Sequence, residues 1–246
     1  MTFDARGVIF DLDGTLIDSM RSFYILVVDN LKRRGIKVSE EALKKVGSEL
    51  LKDYQTPPSG QGLKLVISLF WKIGRKFGLS RFKTISFTFE CVLKARKVYH
   101  SAPLFLDTEK TLIRLQEAGF QLGIYTMASR KQLEESLIKS NIVHFFNSKG
   151  LISRDDVKRA KPDPEGILLA LESCSIDPSK SYFIGDLPID IIAGNNAGVT
   201  TIGLTTGLLN KTALQQYSQP NIIFDSLDQA ANWILKQQEY IPQNSE

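Results

Sequence analysis

After Pro103 the chain alternates short apolar runs with segments of helical periodicity, and this alternation restricts the fold more than any other feature. Phe120 to Tyr125, Gly150 to Ile152, Ser181 to Ile184, Val199 to Leu204 and Asn221 to Phe224 read as strands. Between them, Thr108 to Ala118, Ser129 to about Ser140, Pro164 to about Glu172, about Ile189 to Asn196, and Leu227 to Gln237 read as helices. Ser129 suits a helix cap and Pro164 a first helical turn, while Gly119 and Gly198 stand where helices stop. Such strand–helix units predict an α/β fold, a mostly parallel sheet with helices on both faces. One strand precedes the series. Val8, Ile9 and Phe10 form an unbroken apolar run, as in a strand buried on both sides.

From Ser19 to Pro103 the pattern is helical throughout. Phe23, Leu26, Val27 and Leu31 recur at three- and four-residue steps. Ser39 caps a second helix, with Glu40 and Glu41 in its first turn. Gly47-Ser48 is expected to interrupt before a short helical piece from Glu49 to Tyr54, and Thr56 to Gly60 is a loop. Amphipathic segments over 62–77 and 80–99 follow. Within the second, Ile85, Phe87, Phe89 and Cys91 alternate like a strand, but its length without Gly or Pro favours helix. Trp71 and the Phe-rich helices are expected to form the core of this part. Here 17 Lys/Arg face 6 Asp/Glu, a net +11, against −7 for the remainder. A composition shift of that size predicts two units, 1–18 with 104–246 and an insert over 19–103.

At 246 residues the chain suits one such core plus a smaller domain. Its two cysteines, Cys91 and Cys174, lack the spacing of a zinc or redox motif and fit a reducing cytoplasm. The first six residues have no apolar signal region, and no apolar run approaches about 18 residues, so no membrane association is expected. A net charge of +4 is too mild to imply nucleic acid.

Four polar groups stand at predicted strand ends. Asp11 and Asp13 follow the first strand, and at i and i+2 of extended chain they face one side. Thr126 follows Tyr125. Lys161 lies in the loop Arg159-Ala160-Lys161-Pro162-Asp163-Pro164, and Asp186 and Asp190 follow Ile184. Parallel strands bring their carboxyl ends to one edge, where such sheets bind ligands. The chemistry suggested is phosphoryl transfer. One carboxylate can attack phosphorus, and a second can protonate the leaving oxygen and then activate water. Crowded carboxylates need a cation, and an all-oxygen set favours Mg²⁺. Thr126 and Lys161 can hold the transferring oxygens.

Taken together, Asp11-Leu12-Asp13-Gly14-Thr15-Leu16, Thr126, Lys161-Pro162 and Gly185-Asp186-x-x-x-Asp190 resemble the four motifs of the haloacid dehalogenase-like hydrolases, in order along essentially the whole chain. The insert resembles the helical cap of the phosphoglycolate phosphatase-like branch. The resemblance implies a Rossmann-like core and a small all-helical cap inserted after the first strand. It implies Asp11 as nucleophile and metal ligand. Asp13 would be general acid/base, with its backbone carbonyl on the metal, and Asp186 a further ligand. Thr126 and Lys161 would bind phosphate, with help from backbone amides at Leu12, Asp13 and Met127. Asp190 would support the metal's waters or Lys161. Two departures stand out. Met127 replaces a frequent Asn, and Pro188 between the acids of the fourth motif is expected to tilt Asp190.

The reading is a Mg²⁺-dependent phosphatase of a small anionic phosphorylated metabolite, phosphoglycolate-like or a sugar phosphate, working as monomer or homodimer. The alternatives are a phosphomutase of the β-phosphoglucomutase type and a non-catalytic binding protein. Other polar residues read as structural: Asp18 and Ser19 as hinge and cap, Arg21 as a solvated face, His100 and His144 as packing, Asp155-Asp156 as a surface turn, and Asp225 as a strand end.

Overall fold

A computed structural model describes residues 5–51 and 62–239. The expected loop at Thr56 to Gly60, the helical piece beyond Leu51 and the chain end from Tyr240 lie outside the described residues, as does the side chain of His100. The chain separates into two compact units, one ending at Ile17 and resuming at Leu104, the other running from Asp18 to Pro103.

The discontinuous unit is a six-stranded sheet in the order β3-β2-β1-β4-β5-β6, with every pair parallel. Its strands are β1 (Ala5–Phe10), β2 (Gln121–Tyr125), β3 (Leu151–Ile152), β4 (Ile176–Gly185), β5 (Thr200–Leu204) and β6 (Ile222–Phe224). β1 is central, and Gly7 to Phe10 are all buried, as the unbroken apolar run requires. Helices α7 (Glu165–Ser173), α8 (Pro188–Ala197) and α9 (Lys211–Ser218) lie together on one face. On the other, α5 (Thr108–Glu117) packs with α10 (Leu227–Glu239), and Arg114 of α5 donates to Asp228 at 2.8 Å and to Asn232 at 2.6 Å. Helix α6 (Arg130–Lys139) connects β2 to β3, opened by a Ser129 cap whose hydroxyl accepts from the Gln132 amide.

Connections run from β1 toward β3 on one side and from β4 toward β6 on the other. The order therefore reverses between β1 and β4, and the crevice of an open α/β sheet lies at the carboxyl ends of those two strands. Asp11 follows β1 and Asp186 follows β4.

Two elements of this unit differ from the expectation. β4 starts at Ile176 because Ile176 pairs with Ala5 ahead of a bulge, with regular register resuming at Gly7–Ser181. Between them Ser179 donates to Asp177 in a local turn, and these polar residues hide the strand's beginning. Helix α9 has no counterpart in the periodicity, since only Leu214 and Ser218 of its eight residues are buried. It is set by its cap, Asn210, which accepts from the Ala213 amide at 2.9 Å.

The contiguous unit holds α1 (Ser19–Lys32), α2 (Glu40–Leu51), α3 (Gly62–Lys76) and α4 (Arg81–His100). Asp18 caps α1 through the Arg21 amide, and Ser39 caps α2 through the Ala42 amide. Its core gathers Leu26, Leu31, Leu43, Leu50, Phe70, Ile73, Phe87 and Cys91. The expected break at Gly47-Ser48 does not occur. Helix α2 runs through it, because Leu43 and Leu50 bury the same face on either side, and packing overrides the glycine's low propensity. The segment from Ile85 to Cys91 is helix, as its length predicted.

The aromatic content of this unit does not all enter the core. Phe87 and Cys91 point inward, while Phe82, Ile85, Phe89 and Leu93 are exposed by 86, 56, 63 and 64% and Trp71 stands at the rim with 36%. These four α4 residues fall at i, i+3, i+7 and i+11, one line along the helix opposite the buried side. Among the described residues, no helix is long and apolar enough to cross a membrane.

Candidate active site

Asp11 is placed by the strand that precedes it. Its amide continues the β1–β4 ladder, donating to the Ile184 carbonyl at 2.8 Å, so its side chain emerges in the crevice. Asp186 and Asp190 flank the start of α8. Pro188 occupies the first helical turn, where a missing N–H costs nothing. Asp190, at the third position, turns back to accept from the Leu187 amide at 2.9 Å. Pro188 thus does not tilt Asp190 out of the site; the carboxylate closes the helix start.

Lys161 joins the groups. Its Nζ donates to Asp11 Oδ1 at 2.6 Å and to Asp190 Oδ1 at 2.8 Å, with the lysine side chain fully buried. Asp11, Asp186 and Asp190 each present a carboxylate oxygen within 4.8 Å of the others. Among the described residues this buried trio is the one acidic cluster close enough to hold a metal. Asp186 Oδ1 is buried with no hydrogen-bond partner. Asp13 is half-buried and its carboxylate stands outside the trio.

Leu12 is fully buried, and its carbonyl accepts from the amides of Leu16 and Ile17, folding the chain sharply after β1. Thr126 lies at the same edge of the sheet, since β2 pairs with β1 through Ile124 opposite Phe10. It is buried. Its amide donates to the Ile152 carbonyl at 3.0 Å, and its hydroxyl accepts from the Ala128 amide at 3.1 Å. Met127 beside it is half-buried.

Two contributors have no counterpart in the motif reading. Thr206, in the loop after β5, donates its hydroxyl to the Gly14 carbonyl at 2.5 Å. Gly207 and Gly14 both press on Asp186. A Cβ on Gly207 would lie 1.8 Å from Asp186 Oδ2, and one on Gly14, whose φ is +81°, would lie 2.5 Å from it. The available signal was positional: Thr205-Thr206-Gly207 directly follows a strand that ends at the same edge. Of the residues read as structural, Asp18 caps α1, and Asp155 and Asp156 hold the Arg130 amide and guanidinium. His144 is exposed against Phe145, and Asp225 accepts from the Thr205 hydroxyl.

The electrostatics follow from burial. Loss of water pushes the Asp11 carboxyl up to about 7, with Asp190 and Asp13 adding to the rise while Lys161 opposes it. Asp186 is raised well above the carboxylate range, first by burial and then by Asp190 and Asp11. For Lys161, burial favours the neutral amine, but the carboxylates of Asp11 and Asp190 outweigh it and hold the ammonium. Three carboxylates and one ammonium in a buried crevice lack positive charge. The all-oxygen donor set and the unpartnered Asp186 oxygen fit a hard divalent cation. With that charge supplied, the arrangement can place a carboxylate against an anionic electrophile.

The profile of the haloacid dehalogenase-like hydrolases matches residues 8–204. The chain is similar to the pyrophosphatase PpaX of Bacillus velezensis, 30% identical over 224 residues, which cover 90% of this chain and 92% of that protein. It is similar to the phosphoglycolate phosphatase of Escherichia coli, 29% identical over 244 residues, covering 92% and 90%. Among solved structures, a HAD family hydrolase from Deinococcus radiodurans, with bound phosphate and sodium, shares the fold at a TM-score of 0.73 and 18% identity, covering 97% of this chain and 98% of that one. The chain belongs to the haloacid dehalogenase-like hydrolase family, and its enzyme class is phosphatase.

Proposed function

We propose that the protein is a Mg²⁺-dependent phosphatase of small phosphorylated metabolites that works through an aspartyl-phosphate on Asp11. The observation that carries this reading is the Lys161 ammonium bound to Asp11 and Asp190 at once, with Asp186 completing an oxygen cluster. Asp11 and Asp186, with the Asp13 backbone carbonyl, would hold the cation, whose bound charge would offset repulsion between carboxylate and phosphate. Asp190 spends both oxygens on Lys161 and the Leu187 amide, which suits a supporting role.

In the first half-reaction Asp11 attacks phosphorus, the ester P–O bond breaks, and Asp13 gives its proton to the leaving alkoxide. In the second, Asp13 takes a proton from water, the water oxygen bonds to phosphorus, and the bond to Asp11 breaks, releasing phosphate. Lys161 keeps Asp11 oriented and, with Thr126 and the amides of Leu12, Asp13 and Met127, holds the transferring oxygens. The inserted helical unit is the cap of this reading, and its net +11 suits an anionic substrate. The protein works as monomer or homodimer in the cytoplasm, where its two free, buried cysteines stay reduced.

The test is phosphate release from p-nitrophenyl phosphate, phosphoglycolate, pyrophosphate and sugar phosphates, with Mg²⁺ and with chelator. Release is expected only with cation, and Asp11→Asn is expected to lower it on the order of 10⁴-fold or more. Cation-dependent turnover surviving in that variant would falsify the nucleophile assignment. A sugar-phosphate isomer without free phosphate would make the protein a mutase.

A further inference from the structure

The two carboxylates hold only the far end of Lys161. Its backbone lies in Arg159-Ala160-Lys161-Pro162-Asp163, a stretch outside every strand and helix. A buried ammonium carried by such a stretch needs an anchor from elsewhere. Tyr125, the fully buried last residue of β2, provides one. Its hydroxyl oxygen accepts from the Lys161 backbone amide at 3.1 Å, across 36 positions of sequence. The same ring meets the other end of the lysine, with Nζ 4.9 Å from its centroid. The Phe183 ring stands 5.2 Å from Nζ. Both distances suit attraction between a cation and an aromatic face.

The phenol has no room to drift. Gly166 of α7 lies against it so closely that a Cβ there would be 2.3 Å from ring carbons Cε2 and Cζ. Packing alone explains an aromatic ring here, among Ile9, Ile152, Val157, Ile167 and Phe183. It does not explain the hydroxyl, which a phenylalanine would spare the core, and a buried hydroxyl is unfavourable unless it is hydrogen-bonded. The partner it has is the one lysine the site depends on.

We propose that Tyr125 is a positioning residue for Lys161: its oxygen fixes the backbone of the lysine loop and its ring face completes the ammonium's pocket, so that Nζ spans Asp11 and Asp190 together. The kinetic consequence rests on the phosphatase reading; the positioning itself does not.

Tyr125→Phe keeps the ring and deletes the acceptor. Residue-resolved hydrogen exchange by NMR on the full chain is expected to show the Lys161 amide exchanging about tenfold faster, as loss of one buried hydrogen bond implies. Amides of β2 and α7 should be unchanged. The specificity constant for p-nitrophenyl phosphate is expected to fall about tenfold, through kcat more than KM, at an unaltered content of folded protein. Gly166→Ala keeps the hydroxyl but displaces the ring, and is expected to lower kcat in the same way. Unchanged exchange at Lys161 in Tyr125→Phe overturns the proposal, as does faster exchange spread evenly over β2 and α7. If the wild-type chain turns over no phosphate ester, the phosphatase reading fails while the exchange comparison still decides the role of Tyr125.

Discussion

Burial lets the Asp11 carboxyl keep its proton to a higher pH than an exposed aspartate would. Its carboxyl ordinarily ionises near 3.8, and burial, with Asp190 and Asp13, raises that to about 7 against the pull of Lys161. Between these values the folded protein keeps a proton that the unfolded chain has released. The Asp11 contribution to stability in cation-free protein is therefore present below about pH 4 and lost as pH rises toward about 7. A divalent cation at the trio would replace that proton. The rise in unfolding midpoint on adding millimolar Mg²⁺ is expected to be larger at about pH 7.5 than at about pH 5; equal rises would contradict it. At this scale the acids were legible, because an apolar run followed by Asp11-x-Asp13, and the pair Asp186 and Asp190, stand at strand ends whatever the details. Tyr125, Thr206 and Gly207 were not. Each acts on a residue far along the chain, and a tyrosine ending a buried strand or a glycine in a Thr-Thr-Gly turn looks the same with or without such a partner.

Among the elements, α4 has apolar residues on two sides, and only one side is used within the described residues. Phe87 is fully buried and in edge contact with Phe70, while Phe89 is 63% exposed two residues on. Phe87→Ala is expected to cost about 3–5 kcal/mol in urea unfolding, and Phe89→Lys to stay within about 0.5 kcal/mol. Comparable losses from both would mean that the exposed line is covered in solution. The helix itself could be read from the sequence, but its inward side could not, since Phe82, Ile85 and Phe89 satisfy helical spacing as well as Phe87 and Cys91 do. The misreading of α2 has the opposite cause. Gly47 is a real local signal against helix, outweighed by the burial of Leu43 and Leu50. Helix α9 shows a third case, where a polar helix depends on its cap and leaves little periodicity to detect.

For the molecule as a whole, the parallel sheet was legible because strand–helix alternation admits few other arrangements. The strand order needed the structure, since periodicity does not say which strands are neighbours. The unit from Asp18 to Pro103 is unbroken in sequence and has its own apolar core. Expressed alone, it is expected to be helical by far-UV circular dichroism and to unfold cooperatively with urea; a featureless, non-cooperative chain would count against its independence.

The central place of β1 also has a consequence for the ribosome. The strand is translated well before its two neighbours, Gln121–Tyr125 and Ile176–Gly185. The helical unit can therefore collapse while Val8, Ile9 and Phe10 are still without sheet partners. A nascent chain halted before Ile176 exposes one side of β1, with its apolar Val8, Ile9 and Phe10, a template for pairing with other chains. For this protein, the open side of β1 needs protection during synthesis until Ile176–Gly185 has been made.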